Sequence, residues 1–290
     1  MSLTELRSFH AVARMGSFSK AAQDLLRSQP TITIQVAQLE KRYRTELFQR
    51  RRGQKLEITD FGKQLFEITR RLFALEADAL DLLENSEDLQ SGHIKIGASF
   101  PNLPTKYILP FREKYPNIEV SLMLGNSSDV LRDLRDCKVD IGFLGGNGDY
   151  RGCNALHLAE LEIVMIAHKN HSCVQSGFIY AKDLCDETLL LREQGSETRE
   201  LLLNKLNAEG FLPGTTIEIS SREGVCAAAA AGLGLGIIAL DEIIDGYDLG
   251  VVRIKGFQIF GQAHAISLKE RGYTKLISAF LGMVEGVKRQ

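Results

Sequence analysis

The chain has 290 residues, of which 44% are hydrophobic and 25% charged, with a formal net charge of −2. That length exceeds one small core and suits about two or three units of ordinary globular composition. The charge is unevenly placed: residues 1–60 carry 11 Lys+Arg against 6 Asp+Glu, and residues 61–290 carry 24 against 31. A basic head on an acidic body points to a polyanionic partner for the head only.

The five cysteines (Cys137, Cys153, Cys173, Cys185, Cys226) are odd in number, scattered and never spaced C-x-x-C. This argues against a disulfide framework or a zinc site and favours a reducing compartment. No basic-then-apolar leader opens the sequence. The longest apolar run, Val225 to Leu240, is 16 residues broken by three glycines, too short to span a bilayer. A cytoplasmic protein without a membrane partner is expected.

Leu6, Phe9 and Ala13 recur at helical spacing and predict a first helix from about Thr4 to Met15, ended by Gly16. Ser17 or Ser19 can cap a short second helix whose buried stripe is Ala21, Ala22, Leu25 and Leu26. Ser28 is the natural N-cap of a third, with Pro30 in the first turn, where its missing N–H costs nothing. Ile32, Val36, Leu39 and Tyr43 form its buried face. Thr31, Thr33, Ile34, Gln35 and Gln38 are left on the outer side. Gln can pair with adenine through two hydrogen bonds, and a Thr or Ile methyl can pack on a thymine methyl. A solvated helix face presents the same stripe; the tight helix-turn-helix spacing, the local positive charge and the next segment favour DNA. In that segment Arg50, Arg51 and Arg52 precede Gly53 between short β-like stretches. They read as a hairpin tip gripping phosphates or entering the minor groove, although a three-Arg run alone is also ordinary surface charge.

G-S-F-x-x-A-A-x-x-L-x-x-S-Q-P (Gly16 to Pro30), Leu39-Glu40, Leu47-Phe48-x-Arg50 and Leu56-x-x-Thr59-x-x-Gly62 resemble the N-terminal signature of LysR-type transcriptional regulators. The resemblance implies a winged helix-turn-helix over residues 1–60, with Ser28, Gln29 and Pro30 starting the recognition helix. Three positions depart from the pattern: Ile34 stands where Arg is usual, Arg27 where a small apolar residue is usual, and Arg44 where glycine closes the recognition helix.

From Ile58 onward Phe61, Leu65, Ile68, Leu72, Leu75, Ala79 and Leu82 alternate spacings of three and four. This heptad seam, within a linker at 61–90, suits pairing with a second chain; packing on the body is the alternative. A homodimer would place two recognition helices on successive major-groove faces of a near-palindromic double-stranded operator. The resemblance supports this role and implies a homotetramer of two dimers.

In residues 91–290, strand His93 to Ser99, helix Leu103 to Tyr115, strand Ile118 to Leu124, helix Ser128 to Asp136 and strand Val139 to Leu144 predict a parallel α/β unit. A second set follows: strands at Glu162 to Ala167 and Thr188 to Arg192, helix Glu197 to Glu209, strand Thr216 to Ile219, helix Arg222 to Ala231 and strand Gly234 to Ala239. The chain returns through Ala263 to Leu268 and ends in helix Thr274 to Lys288. The expectation is an α/β body of two lobes, about 91–161 with 263–290, and about 162–262, with a cleft between them. Small ligands sit at strand carboxyl ends near helix N-termini. Four stretches qualify: Ser99 and Phe100; Asn126, Ser127 and Ser128; Gln194 to Arg199, with Gly195, Ser196, Glu197, Thr198 and Arg199; and Ser220, Ser221 and Arg222. Arg199 offers a fork for carboxylate, phosphate or phosphonate. Each serine taken singly is equally an ordinary N-cap.

F-x-x-x-Y-P (Phe111 to Pro116), Asp140-Ile-Gly142, G-S-x-T-R (Gly195 to Arg199) and A-A-G-L-G-L-G (Ala230 to Gly236) resemble the effector-binding domain of the same family, which is similar in fold to periplasmic binding proteins. G-N-S-S-D-V-L-R (Gly125 to Arg132), L-R-E-Q-G-S-E-T-R (Leu191 to Arg199) and Ser221-Arg222-Glu223 are similar to members associated with 2-aminoethylphosphonate use. That likeness implies a small zwitterion with its ammonium near Glu193 or Glu223.

The rival classes are an enzyme of the two-lobed α/β type and a small-molecule-binding protein. Gly232-x-Gly234-x-Gly236 lacks dinucleotide-fingerprint spacing and sits between helix and strand in reversed order. His168, His171 and Cys173 have metal-like spacing but no acidic or cysteine partner nearby in sequence. No cofactor, metal or catalytic residue is expected. The sequence reads as a DNA-binding regulator controlled by a small anionic or zwitterionic effector.

Overall fold

The computed structural model describes residues 2–49, 56–84, 89, 91–146 and 150–288. They divide into two compact units, Met1–Ser86 and Glu87–Gln290. Among the described residues no helix is long and apolar enough to cross a membrane.

In the first unit, helix α1 (Leu3–Met15) opens with a reciprocal capping box between Ser2 and Glu5 and closes on Gly16 at φ 61°. Helix α2 (Phe18–Asp24) is capped by Ser17, not Ser19. It stops before Leu26, which takes φ 52° and is 91% exposed. The expectation that Leu26 belongs to the buried stripe is therefore corrected: the tight turn into the next helix throws its side chain outward. Helix α3 (Gln29–Tyr43) starts on Ser28, whose Oγ accepts from the Thr31 N–H. It buries Ile32, Val36 and Leu39 against Phe9, Val12 and Ala21, and each such apolar side chain contributes about 1.5–3 kcal/mol. Tyr43 is 51% exposed, a second correction, because it is the last helical residue and lies beyond the reach of that core. Arg44 closes the helix in the left-handed region at φ 51°.

Strands β1 (Phe48–Gln49) and β2 (Glu57–Ile58) pair antiparallel. Glu40 accepts from the Leu47 and Phe48 N–H groups at 2.8 and 3.2 Å, so the Leu39-Glu40 motif ties the helix to the wing. Helix α4 (Asp60–Glu84) follows. Thr59 caps it and Gly62 passes so close to the Leu47 carbonyl that a Cβ would not fit. Phe66 and Phe73 flank His10 of α1.

The second unit is a mixed ten-stranded sheet that narrows to two shared strands. Its first half holds β3 (Gly92–Ala98), α5 (Asn102–Lys114), β4 (Ile118–Leu124), α6 (Ser127–Arg135) and β5 (Ile141–Gly145). Strand β6 (Cys153–His168) then leads to α7 (Ser172–Ser176), β7 (Phe178–Tyr180), β8 (Leu189–Leu191), α8 (Glu197–Ala208), β9 (Thr216–Glu218), α9 (Arg222–Ala230) and β10 (Leu235–Ala239). After β11 (Leu249–Lys255), β12 (Ile259–Leu268) returns, and α10 (Lys275–Lys288) packs on the first half. Strands β3, β4 and β5 run parallel, as do β8, β9 and β10. Antiparallel β6 and β12 join the two lobes along a register running from Ile259↔Ile163 to Leu268↔Cys153. The parallel order expected for the first lobe holds, and β6 and β12 are the strands that cross between the lobes. The first half of β6, with β7 and β11, escaped the sequence because its exposed polar residues interrupt the apolar signal.

Each lobe has its own core, around Ile94, Phe111, Phe143 and Phe280 in one and Met165, Leu189, Leu202 and Ile237 in the other. The Asp140-Ile-Gly142 motif has a structural role. Asp140 accepts from the Lys95 N–H and from Arg271, both at 2.8 Å, and so satisfies a buried guanidinium.

Candidate DNA-reading helix and effector cavity

On α3, Ile34 and Gln38 are exposed while Thr31, Thr33 and Gln35 are half-buried. Gln35 differs from its expected outward pose. Its Oε1 accepts from the Ser8 hydroxyl at 2.5 Å, which pins the side chain to α1. Gln29 accepts from Ser19, and Ser28 pairs with the Thr31 hydroxyl. These contacts leave Gln38 and the Ile34 side chain as the least engaged groups of the stripe. Arg42 makes a two-pronged pair with Glu5 at 2.8 and 3.0 Å, fixing α3 against α1. Arg50, Arg51 and Arg52 lie outside the described residues.

On α4, Phe61, Ile68, Leu72, Leu75 and Ala79 are exposed. Leu65 differs, packing against the head core, and the side chain of Leu82 lies outside the described residues. Among the described residues the seam is thus a largely exposed apolar stripe along one side of a long helix.

In the second unit the cavity between the lobes is lined by Ser99, Phe100, Asn126, Ser127, Ser196, Glu197, Thr198 and Arg222, all expected from the sequence. Leu161, Ile163, Arg192, Val225, Ile237, Ile238, Ala239 and Glu242 complete it. The N-termini of α6, α8 and α9 converge on it, and the partial positive charge of helix starts favours an anion. Its free volume is about 30 Å³, room for about one or two waters.

The other expected residues, Gln194 and Ser220 among them, do not line the cavity. Gly195, at φ 88°, packs against Ser128, whose own N–H donates to the Gly195 carbonyl. Ser221 spends its hydroxyl capping α9. Arg199 donates to the Arg192 carbonyl at 2.7 Å and to Glu218 at 2.6 Å, so its fork braces β8 against β9. Arg192, one residue beyond β8, lines the cavity instead, and its place at the end of an apolar strand pattern hides it in the sequence. Glu223 is exposed, and Glu193 is already engaged.

Both guanidiniums of the cavity have carboxylate partners. Arg192 forms two 2.8 Å hydrogen bonds with Glu193. Burial pushes the Glu193 carboxyl up, but its bonds to Arg192 and Asn126 leave it below the usual value. Arg222 Nε lies 2.8 Å from Glu242 Oε1, an ion-pair contact without the alignment of a hydrogen bond. Burial still raises the Glu242 carboxyl despite Arg222. Glu197 is pushed up to about 7, first by burial, with the charges of Glu200 and Glu242 adding to the shift and a Gln262 N–H opposing it. Ser99 accepts from the Ser127 hydroxyl at 3.2 Å and from the Gly145 N–H at 3.3 Å. Among the described lining residues no hydrogen bond pairs a nucleophile with a base.

His171, Cys173 and Glu187 come together in the second lobe, the acid supplied by a distant loop. The His171 Nδ1 accepts from the Cys173 N–H at 3.3 Å. That bond leaves the ring proton on Nε2, which faces Glu187 at 3.8 Å. The trio therefore reads as a capped turn with a carboxylate partner.

Residues 3–63 match the model for the bacterial regulatory helix-turn-helix protein, lysR family, and residues 87–288 match the LysR substrate binding domain. The chain is 29% identical over 287 residues to the HTH-type transcriptional activator CmpR of Synechocystis, covering 96% of this chain and 93% of that one. The full-length structure of CbnR complexed with its target DNA has a TM-score of 0.69 at 22% identity, covering 99% of both chains. The CcmR regulatory domain of Synechocystis PCC6803 in complex with 2-PG has a TM-score of 0.63 at 21% identity, covering 69% of this chain and 99% of that one. The chain belongs to the LysR family, DNA-binding transcriptional regulators with an effector-binding domain.

Proposed function

We propose that the effector is a small organic anion of the phosphate or phosphonate type, held between the lobes. The observation that carries this reading is the convergence of three helix N-termini, with Ser99, Asn126, Ser127, Ser196 and Thr198, on one cavity that also holds Arg192 and Arg222. The 2-PG bound to the related CcmR domain belongs to this chemical class. A zwitterion such as 2-aminoethylphosphonate is the second reading, favoured by Glu197 and Glu242 in the same wall.

On the DNA side, α3 lies in the major groove, with Thr31, Thr33, Ile34 and Gln38 toward base edges, Ser28, Gln29 and Pro30 at the backbone, and Gln35 positioned through Ser8. Arg50, Arg51 and Arg52 would contact phosphates or the minor groove. The exposed seam of α4 pairs two chains, and a change of lobe geometry alters how the half-sites are engaged. Only a ligand that binds the competing geometries unequally shifts them.

The test is binding of the purified protein to the DNA upstream of its own gene across a salt series, with 2-phosphoglycolate and with 2-aminoethylphosphonate. The reading expects salt-dependent, sequence-preferring binding that one of the two alters, weakened by Gln38→Ala. Specific binding that neither compound alters sinks the effector assignment. Ile68→Glu with Leu72→Glu should reduce the sedimenting mass; an unchanged oligomer rejects the α4 seam.

A further inference from the structure

The effector cavity contains a carboxyl group that has no cation of its own. Glu197 is the first residue of α8, lines the cavity and is largely withdrawn from solvent. Room for it is made by Gly145 of β5, where a Cβ would overlap its carboxylate, and by Gly261 of β12, where a Cβ would touch it. The charges that act on it are carboxylates, Glu200 on its own helix and Glu242 on the turn after β10. The two guanidiniums of the cavity are committed elsewhere, Arg192 to Glu193 and Arg222 to Glu242. The Gln262 N–H of β12 is the polar group that does reach it.

Counting the paired groups, the cavity walls are neutral while Glu197 is protonated and carry an excess negative charge once it ionises. An anion entering such a space finds no unspent cation among the described lining residues. Burying a net negative charge without a partner is costly, whereas a neutral carboxyl offers a hydrogen-bond donor. We propose that Glu197 binds the anionic effector as a carboxylic acid, donating its proton to an effector oxygen, so that effector binding draws in one proton wherever Glu197 is ionised in the free protein. This rests on the anionic-effector reading above.

The same residue is placed to pass the event onward. Gln262 links Glu197 through its N–H, and its side chain bonds His157 at 2.7 Å and Glu160 at 2.9 Å on β6, while its carbonyl accepts from the Gly146 N–H. Strands β6 and β12 are the ones the two lobes share. A proton or effector oxygen arriving at Glu197 therefore bears directly on the lobe junction.

The experiment is calorimetric titration of the full-length protein with 2-phosphoglycolate and, separately, inorganic phosphate, between pH 6.5 and 8.5, in buffers of different ionisation enthalpy. Glu197→Gln keeps the donor and the size but needs no proton. With Glu197 titrating near 7, wild-type affinity should fall by about tenfold for each pH unit above that value, with proton uptake approaching one per site. Glu197→Gln should lose most of that slope and bind more tightly than wild type at pH 8.5. Equal pH profiles in the two proteins overturn this proposal and leave the anionic effector standing. Affinity that rises with pH in wild type alone also overturns it, assigning Glu197 to a cation instead. If neither protein binds either probe at pH 6.5, the anionic reading falls and this proposal falls with it. Infrared difference spectra of the free proteins give a ligand-independent check, since a Glu197 carbonyl band absent at pH 6 refutes the protonated acid.

Discussion

Gly145 and Glu197 are matched across the cavity wall: the missing side chain of one is the space occupied by the carboxylate of the other. The clash that a Cβ would create falls on the far end of a flexible side chain, so the backbone need not move. Gly145→Ala should therefore fold with a stability change below about 1 kcal/mol, yet push Glu197 toward solvent. Its titration should return toward the usual carboxylate range. Thermal unfolding together with infrared titration checks both halves, and a large loss of stability with an unmoved titration rejects this account.

Arg44 ends α3 at φ 51°, a conformation costing a non-glycine residue about 1–2 kcal/mol. Arg44→Gly should raise the stability of the head by about 1 kcal/mol, less the lower entropy of the unfolded arginine chain. The measurement is urea denaturation followed by a probe confined to the first unit; a decrease in the midpoint would show that Arg44 makes a compensating contact.

Asp140 accepts from a buried Arg271 and from the backbone of β3. Asp140→Ala removes a charged hydrogen-bond partner of that guanidinium and should cost about 1.5–3 kcal/mol. Asp140→Ala combined with Arg271→Met should recover part of the loss. Calorimetric unfolding of the two variants separates the loss of a charge partner from a simple packing defect, which the second substitution would not repair.

His10 is lowered to about 4, first by burial against α4 and then by Arg14, Arg70 and Arg7. It pairs with Thr69 at 3.0 Å. Its folded value lies below the unfolded one of 6.5. This group's contribution is thus whole above pH 6.5 and is lost as pH falls toward 4. The head should weaken over that window, and His10→Gln should flatten the dependence. Ring-proton NMR against pH reads the titration directly; a His10 midpoint near 6.5 rejects the assignment.

The head was legible because its instructions are short-range. Ser28 and Pro30 start α3, Gly16 ends α1, and Ile32, Val36 and Leu39 repeat at the helical period, each decided within about a turn of chain. Thr59 and Gly62 also stood out, but their reason needed the structure: a cap and a close approach to the Leu47 carbonyl. Where local pattern ran past the end of its element it misled, as at Leu26 and Tyr43, because burial depends on what a neighbouring element covers.

For the effector cavity the sequence determined the hydroxyls at helix starts, since N-caps announce themselves locally. Arg222 was expected there, but which other charges line the cavity was decided by tertiary structure. Arg199 looked like the free fork but is spent on Glu218 and the Arg192 carbonyl, while Arg192 and Arg222 reach the cavity already paired. Glu197 lies in an expected stretch and starts α8, and the structure gives it no cation partner among the described lining residues. The pairs Arg199–Glu218 and Arg222–Glu242 join residues far apart in the chain, and a carboxyl group's protonation depends on the solvent and charges around it. No local pattern carries either.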